Sequence, residues 1–140
     1  MAYSTKADIL AMIDEAEVIQ ATDDTGAGVV DDERVTAAIE AADSEIDGYL
    51  GGRYTLPLST VPAVLKTFSV DMAIYHMLSR RLGAPEHRKD RYKNAVAFFK
   101  SVAKGEVKLG ADDPDGTGTS DTPEFDGPDR IFSRNSLSGF

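Results

Sequence analysis

Cysteine and tryptophan are both absent from this chain of 140 residues. Without cysteine there is no disulfide, no thiolate nucleophile and no Cys-based zinc site, a composition compatible with a reducing compartment. Histidine is scarce: His76 and His87 are the two, and neither stands at metal-ligand spacing from a carboxylate. Long apolar runs are missing as well. Nothing approaches the roughly 20 residues of a membrane span, and Met1-Ala2-Tyr3-Ser4-Thr5-Lys6 does not lead into a signal-peptide core. Positive charge is in deficit, with 15 Lys and Arg against 24 Asp and Glu and a net charge of −9. That disfavours sequence-independent DNA binding, whose affinity comes from cations neutralising phosphates. The G-x-S-x-G, H-E-x-x-H, Walker and G-x-G-x-x-G patterns are lacking, so neither an enzyme nor a cofactor is expected. What these absences leave is a soluble, acidic, intracellular-type protein, with one domain or one small domain and a tail.

The pattern up to about Gly105 is helical. Thr5-Lys6-Ala7-Asp8 forms a capping box with Asp in place of Glu and predicts a helix from about Lys6 to Ile13. A second short helix is expected over Glu15 to Ala21, followed by the loop Asp23-Asp24-Thr25-Gly26-Ala27-Gly28. Asp31 or Asp32 caps a third, with Val35, Ala38, Ile39, Ala42, Ile46 and Tyr49 at helical spacing and Gly51-Gly52 as its left-handed stop. Arg53 to Leu58 should be extended, because the residue before a proline is pushed out of the helical region. Ser59 or Thr60 then opens a fourth helix, with Pro62 in its first turn and the stripe Val64, Leu65, Phe68, Met72, Tyr75 and Leu78. A fifth starts at Pro85, carries Tyr92, Val96, Phe99 and Val102 on one face, and ends at Gly105. The expected fold is all-α: a four- to five-helix core over residues 1–105, with Val35, Ile39, Ile46, Leu65, Phe68, Met72, Val96 and Phe99 buried. Residues 106–140 read as an acidic Gly/Pro-rich linker and a C-terminal docking arm. From Gly105 onward, six glycines, three prolines and eight acidic residues cannot offset their ordering entropy by burial.

Several constellations could carry chemistry. The loop beginning at Asp23 resembles a calcium loop but has Arg34 where the bidentate glutamate belongs, so it reads as a plain connection. The loop from Asp113 to Glu124 has better spacing, but Pro114 and Pro123 stiffen it and no helices flank it; a solvated linker is the expectation. Asp71 shares the inward stripe of the fourth helix and needs a cation, for which Arg53 is the candidate in a structural ion pair. Arg80, Arg81, His87, Arg88, Lys89, Arg91 and Lys93 make the largest basic cluster; Arg80, Arg81, Arg88 and Lys89 are a candidate docking patch for an acidic segment. In the closing segment, Arg130, Ile131, Phe132, Arg134, Leu137 and Phe140 restore apolar anchors and charge after the polar linker, which suits docking on a partner.

One ordered series of segments is familiar. It comprises Tyr3…Asp8-Ile9-Leu10, the acidic Gly loop, Ser44-Glu45-Ile46-Asp47-Gly48-Tyr49-Leu50, Arg53-Tyr54-Thr55-Leu56-Pro57-Leu58, Asp71-Met72-Ala73 and the closing Phe132 to Phe140. The series resembles the small virion protein family of Mu-like bacteriophages, whose helical architecture is similar to that of phage head–tail adaptors. The resemblance implies a homo-oligomeric ring at the neck of the virion, assembled in the host cytoplasm. Its implied partners are the portal protein and a tail-terminator or tail-completion protein, and the genome would pass through its lumen without sequence-specific binding. The alternative is a small monomeric intracellular binding or regulatory protein with a disordered tail.

Overall fold

The computed structural model describes residues 2–81 and 83–110. Among them are five helices and no strand: α1 (Lys6–Met12), α2 (Glu15–Thr22), α3 (Asp32–Leu50), α4 (Ala63–Ser79) and α5 (Glu86–Ala103). α1 and α2 are too short to be stable alone and depend on packing against α4. α3, α4 and α5 pack on one another, with α4 in the middle.

Local chemistry explains the boundaries. The capping box forms as expected: Asp8 N–H donates to Thr5 Oγ1, and Thr5 N–H donates to Asp8 Oδ2. Asp31 caps α3, its Oδ1 accepting from the Glu33 and Arg34 backbone N–H groups at 3.0 and 3.2 Å. Two expectations are corrected at the far end of α3. Gly51 is right-handed rather than left-handed, and the Arg53 and Tyr54 N–H groups both donate to the Leu50 carbonyl. The chain therefore turns through 51–54 instead of running extended, which swings Tyr54 into the core. The Leu56–Pro57 peptide bond is cis. α4 begins at Ala63 with Pro62 as its N-cap, not at Ser59 or Thr60, and Val64 in its first turn is exposed rather than part of the buried stripe.

The core centres on Ile9, Val18, Val35, Ile46, Leu50, Leu65, Met72, Ile74, Phe99 and Val102. Of the expected core residues, Phe68 and Val96 are half-buried instead. Phe68 lies at the edge of an aromatic seam between α4 and α5, its ring 4.7 Å from that of Phe98 and 5.9 Å from that of Phe99. Further along the seam, Tyr75 stacks on Tyr92 with centroids 4.1 Å apart.

Candidate functional site

The acidic and basic side chains singled out in the sequence are mostly engaged in joining helices. Asp71 faces inward as expected and is 5 % exposed, but its cation is Arg91, not Arg53. Arg91 Nε lies 2.9 Å from Asp71 Oδ1, off the hydrogen-bond axis, so the contact is a charge pair rather than an aligned hydrogen bond. The correction follows from topology. The α4–α5 hairpin is antiparallel, which lays the first half of α5 along the second half of α4 and puts Arg91 within reach of Asp71, whereas Arg53 sits at the opposite end, with its guanidinium against Gly105.

Of the candidate docking patch, Arg80, Arg81 and Lys89 are exposed and Arg88 is buried, and Arg80, Arg81 and Lys89 have partners within the chain. The Arg80 guanidinium grips Asp24 through both terminal nitrogens, at 3.0 and 2.8 Å, and donates to the Ala21 carbonyl at 3.2 Å. Arg81 donates to the Asp23 carbonyl. Arg88 is only 8 % exposed and lines a polar pocket of about 250 Å³ beneath the α1–α2 junction. Lys89 remains at the surface and pairs with Glu86 at 3.4 Å. The cluster is scattered because its members point to different sides of α4's end and of α5.

Arg80 and Arg81 instead lock the loop that resembles a calcium site. The Asp23 carboxylate is saturated from within, accepting from the backbone N–H groups of Thr25, Gly26, Ala27 and Gly28. Those bonds, led by the one from Gly28, stabilise the charged form and hold its pKa below the ordinary Asp value. Asp24 is also lowered, chiefly by its hydrogen bonds from Arg80. Gly26 and Gly28 both have positive φ, which lets the loop fold over the Asp23 carboxylate. No group of three metal-binding side chains occurs among the described residues. The Asp113–Glu124 loop and the arm residues Arg130, Ile131, Phe132, Arg134, Leu137 and Phe140 lie outside the described residues.

Sequence reasoning missed two polar knots. In the first, the N-terminal segment is clasped to α3 and α4: Tyr3 N–H donates to Asp43 Oδ1 at 3.2 Å and Tyr3 Oη donates to Asp47 Oδ1. Ser69 Oγ donates to Asp43 Oδ1 at 3.2 Å and lies 2.8 Å from Ser4 Oγ. Burial raises the Asp43 carboxyl above its ordinary value despite these donors, and burial with the Asp47 contact raises the Tyr3 phenol. In the second knot, Glu45 accepts from Tyr92 Oη at 2.8 Å and contacts His76 Nε2 at 3.2 Å. His76 is thus structural, tying α4 to α3. Asp43 and Asp47 were legible as acids on α3, yet nothing local signals a partner some 40 positions away.

Beside the first knot, an open groove of about 520 Å³ runs along α3, walled by Thr36, Glu40, Ser44 and Asp47 with Ala2 and Ser4 opposite. Charge is sorted between the helices. α3 carries six carboxylates and one arginine, whereas α5 carries five lysines and arginines against two carboxylates.

Fold and surfaces together define a small all-α protein with charge-segregated helix faces. The chain belongs to the family described as Bacteriophage Mu, Gp36, whose family model matches residues 3–126. It is 37% identical over 112 residues to the Mu-like prophage FluMu protein gp36 of Haemophilus influenzae, covering 79% of this chain and 78% of that one. It is 28% identical over 113 residues to gene product J of Escherichia phage Mu, covering 80% of this chain and 79% of the other. The resemblance read from the ordered segments therefore holds at the level of the family.

Proposed function

We propose that this chain is a structural protein of the phage particle: a non-enzymatic head–tail adaptor, present as a ring of copies at the neck, that joins the portal vertex to the tail. Membership in a Mu-like phage family supports the setting. The observation that carries the mechanical reading is how the described chain ends. After α5, Val107 and Leu109 settle half-buried against the core, and Leu109 N–H donates to Tyr54 Oη at 3.2 Å. The arm beyond Gly110 therefore starts from a fixed point on a packed bundle. Thirty extended residues reach up to roughly 100 Å, enough to cross a neighbouring copy or to enter the portal or a tail-completion protein. Once the bundle has docked, this tether raises the effective concentration of Ile131, Phe132, Leu137 and Phe140 at their partner. The acidic balance suits a DNA conduit, because carboxylates repel phosphates over about 8–10 Å at ordinary salt.

The test is a chain ending at Gly110, a cut that preserves the Leu109–Tyr54 contact. It should keep a normal helical spectrum and leave heads and tails unjoined. Full infectivity of particles carrying the shortened chain contradicts the proposal. Absence of the full-length protein from purified particles contradicts it as well, and favours the monomeric binding protein.

A further inference from the structure

We infer that the copies associate through two different helix faces, with the outer lysine face of α5 from one copy lying along the outer acidic face of α3 from the next. This inference rests on the ring reading and supplies its interface. On α5 and its C-cap, Lys93, Ala97, Lys100 and Lys104 are exposed and recur at helical spacing on one side. Lys93 makes only long contacts, 4.0 Å to Glu86 and 3.8 Å to Asp90, and Lys100 and Lys104 make no ion pair among the described residues. On α3, Glu33, Ala37, Glu40 and Ser44 are likewise exposed on one side, and neither glutamate has an ion-pair partner among the described residues.

The spacings correspond. Glu33 to Glu40 is seven residues, and so is Lys93 to Lys100; along a helix each step is about 10.5 Å. Two helices crossing at a shallow angle can therefore place both lysines opposite both glutamates at once. Ala37 and Ala97 lie midway in the two stripes, leaving room for close approach. The groove of about 520 Å³ beside Glu40 gives the lysine stems a place to lie, with Asp47 on its wall.

A second copy is the occupant because one chain carries both halves of the match and cannot bring them together itself. Donor and acceptor faces differ, so the contact is heterologous: each copy offers one of each, and the repeat closes into a ring or grows as a filament. A single helix pair covers less than the roughly 1,200–2,000 Å² of a stable interface, so association should be weak in pairs and strengthened by closure.

Sedimentation velocity and native mass spectrometry of the full chain, at low and high salt, test this. Wild type should self-associate at low salt and dissociate as salt screens the faces. Glu33→Lys with Glu40→Lys, or Lys93→Glu with Lys100→Glu, should weaken association at least about tenfold while leaving the helical spectrum unchanged, since all four side chains are exposed. One chain carrying all four changes should recover it, because the faces are complementary again. A wild type monomeric at about 100 µM at low salt overturns the inference. So do reversals that associate as wild type does; in that case the interface fails while a ring seen in particles keeps the adaptor reading. Conversely, the four-change rescue together with absence of the protein from particles retains this interface and removes the adaptor reading.

Discussion

α4 is held by two seams that differ in what supplements their apolar packing. Against α5 it packs aromatic rings, with Phe68 on Phe98 and Phe99 and Tyr75 on Tyr92. Against α3 and the N-terminal segment it adds to apolar burial a polar knot, in which Ser69, Ser4, Tyr3 and Asp43 share hydrogen bonds in the interior. The first seam is non-directional and supplies burial. The knot contributes little net energy per bond and is expensive to break, which makes it a device for register: Tyr3 fits only where both Asp43 and Asp47 can receive it. Burial sets how strongly the helices hold, and the buried carboxylate sets where.

The comparison breaks most clearly at Phe99, which is fully buried. Phe99→Ala should cost about 3–5 kcal/mol in a urea titration, and Phe68→Ala distinctly less because Phe68 is half-buried. Equal losses would show that the seam has no centre. Next comes the charge pair that crosses the aromatic seam. Arg91→Ala strands the buried Asp71 carboxylate and should cost up to about 3 kcal/mol, the low end for a broken buried pair because Arg91 itself is half in solvent. Asp71→Asn should cost less, since the released guanidinium can hydrate; the reverse order would contradict the pairing.

On the polar side, Tyr3→Phe removes the hydrogen bond to Asp47 while keeping the ring. A loss of about 1.5 kcal/mol is expected, the low end for a charged acceptor because water can reach Asp47. The last test separates the acids by sign. Asp43 has its folded pKa raised by burial, so its ionisation costs stability as pH rises through the carboxylate range. The Asp43→Asn chain should therefore gain on wild type between acid and neutral pH. Asp23 is the opposite case: its folded pKa is lowered by backbone donors, so its stabilisation is present at neutral pH and is lost as pH falls through that lowered value. The deficit of Asp23→Asn should accordingly shrink on acidification. Thermal melts across pH 3–7 would read both slopes, and parallel slopes would refute the assignment.

These tests also mark how far the sequence could be read. Helical spacing located all five helices, because Val35, Ile46, Leu65, Met72 and Phe99 obey a period that burial enforces. The caps at Thr5 and Asp31 were readable since a cap is a bond across two or three residues. Pairings across the chain were not. Asp71 could be seen to need a cation, but choosing Arg91 over Arg53 requires knowing that α4 and α5 form an antiparallel hairpin. The basic cluster looked continuous in sequence, and only the fold reveals that Arg80 and Arg81 belong to the Asp23–Asp24 loop while Arg88 is buried. Likewise, Tyr3 gave no local sign that it closes over α3.

The most direct test of the adaptor reading is electron cryomicroscopy of particles from a phage that encodes this chain, with the density at the neck fitted by the α1–α5 bundle. The account predicts a closed ring of bundles between portal and tail, with α5 of each copy against α3 of the next and an arm leaving beside Tyr54. A neck complete without this chain would contradict it.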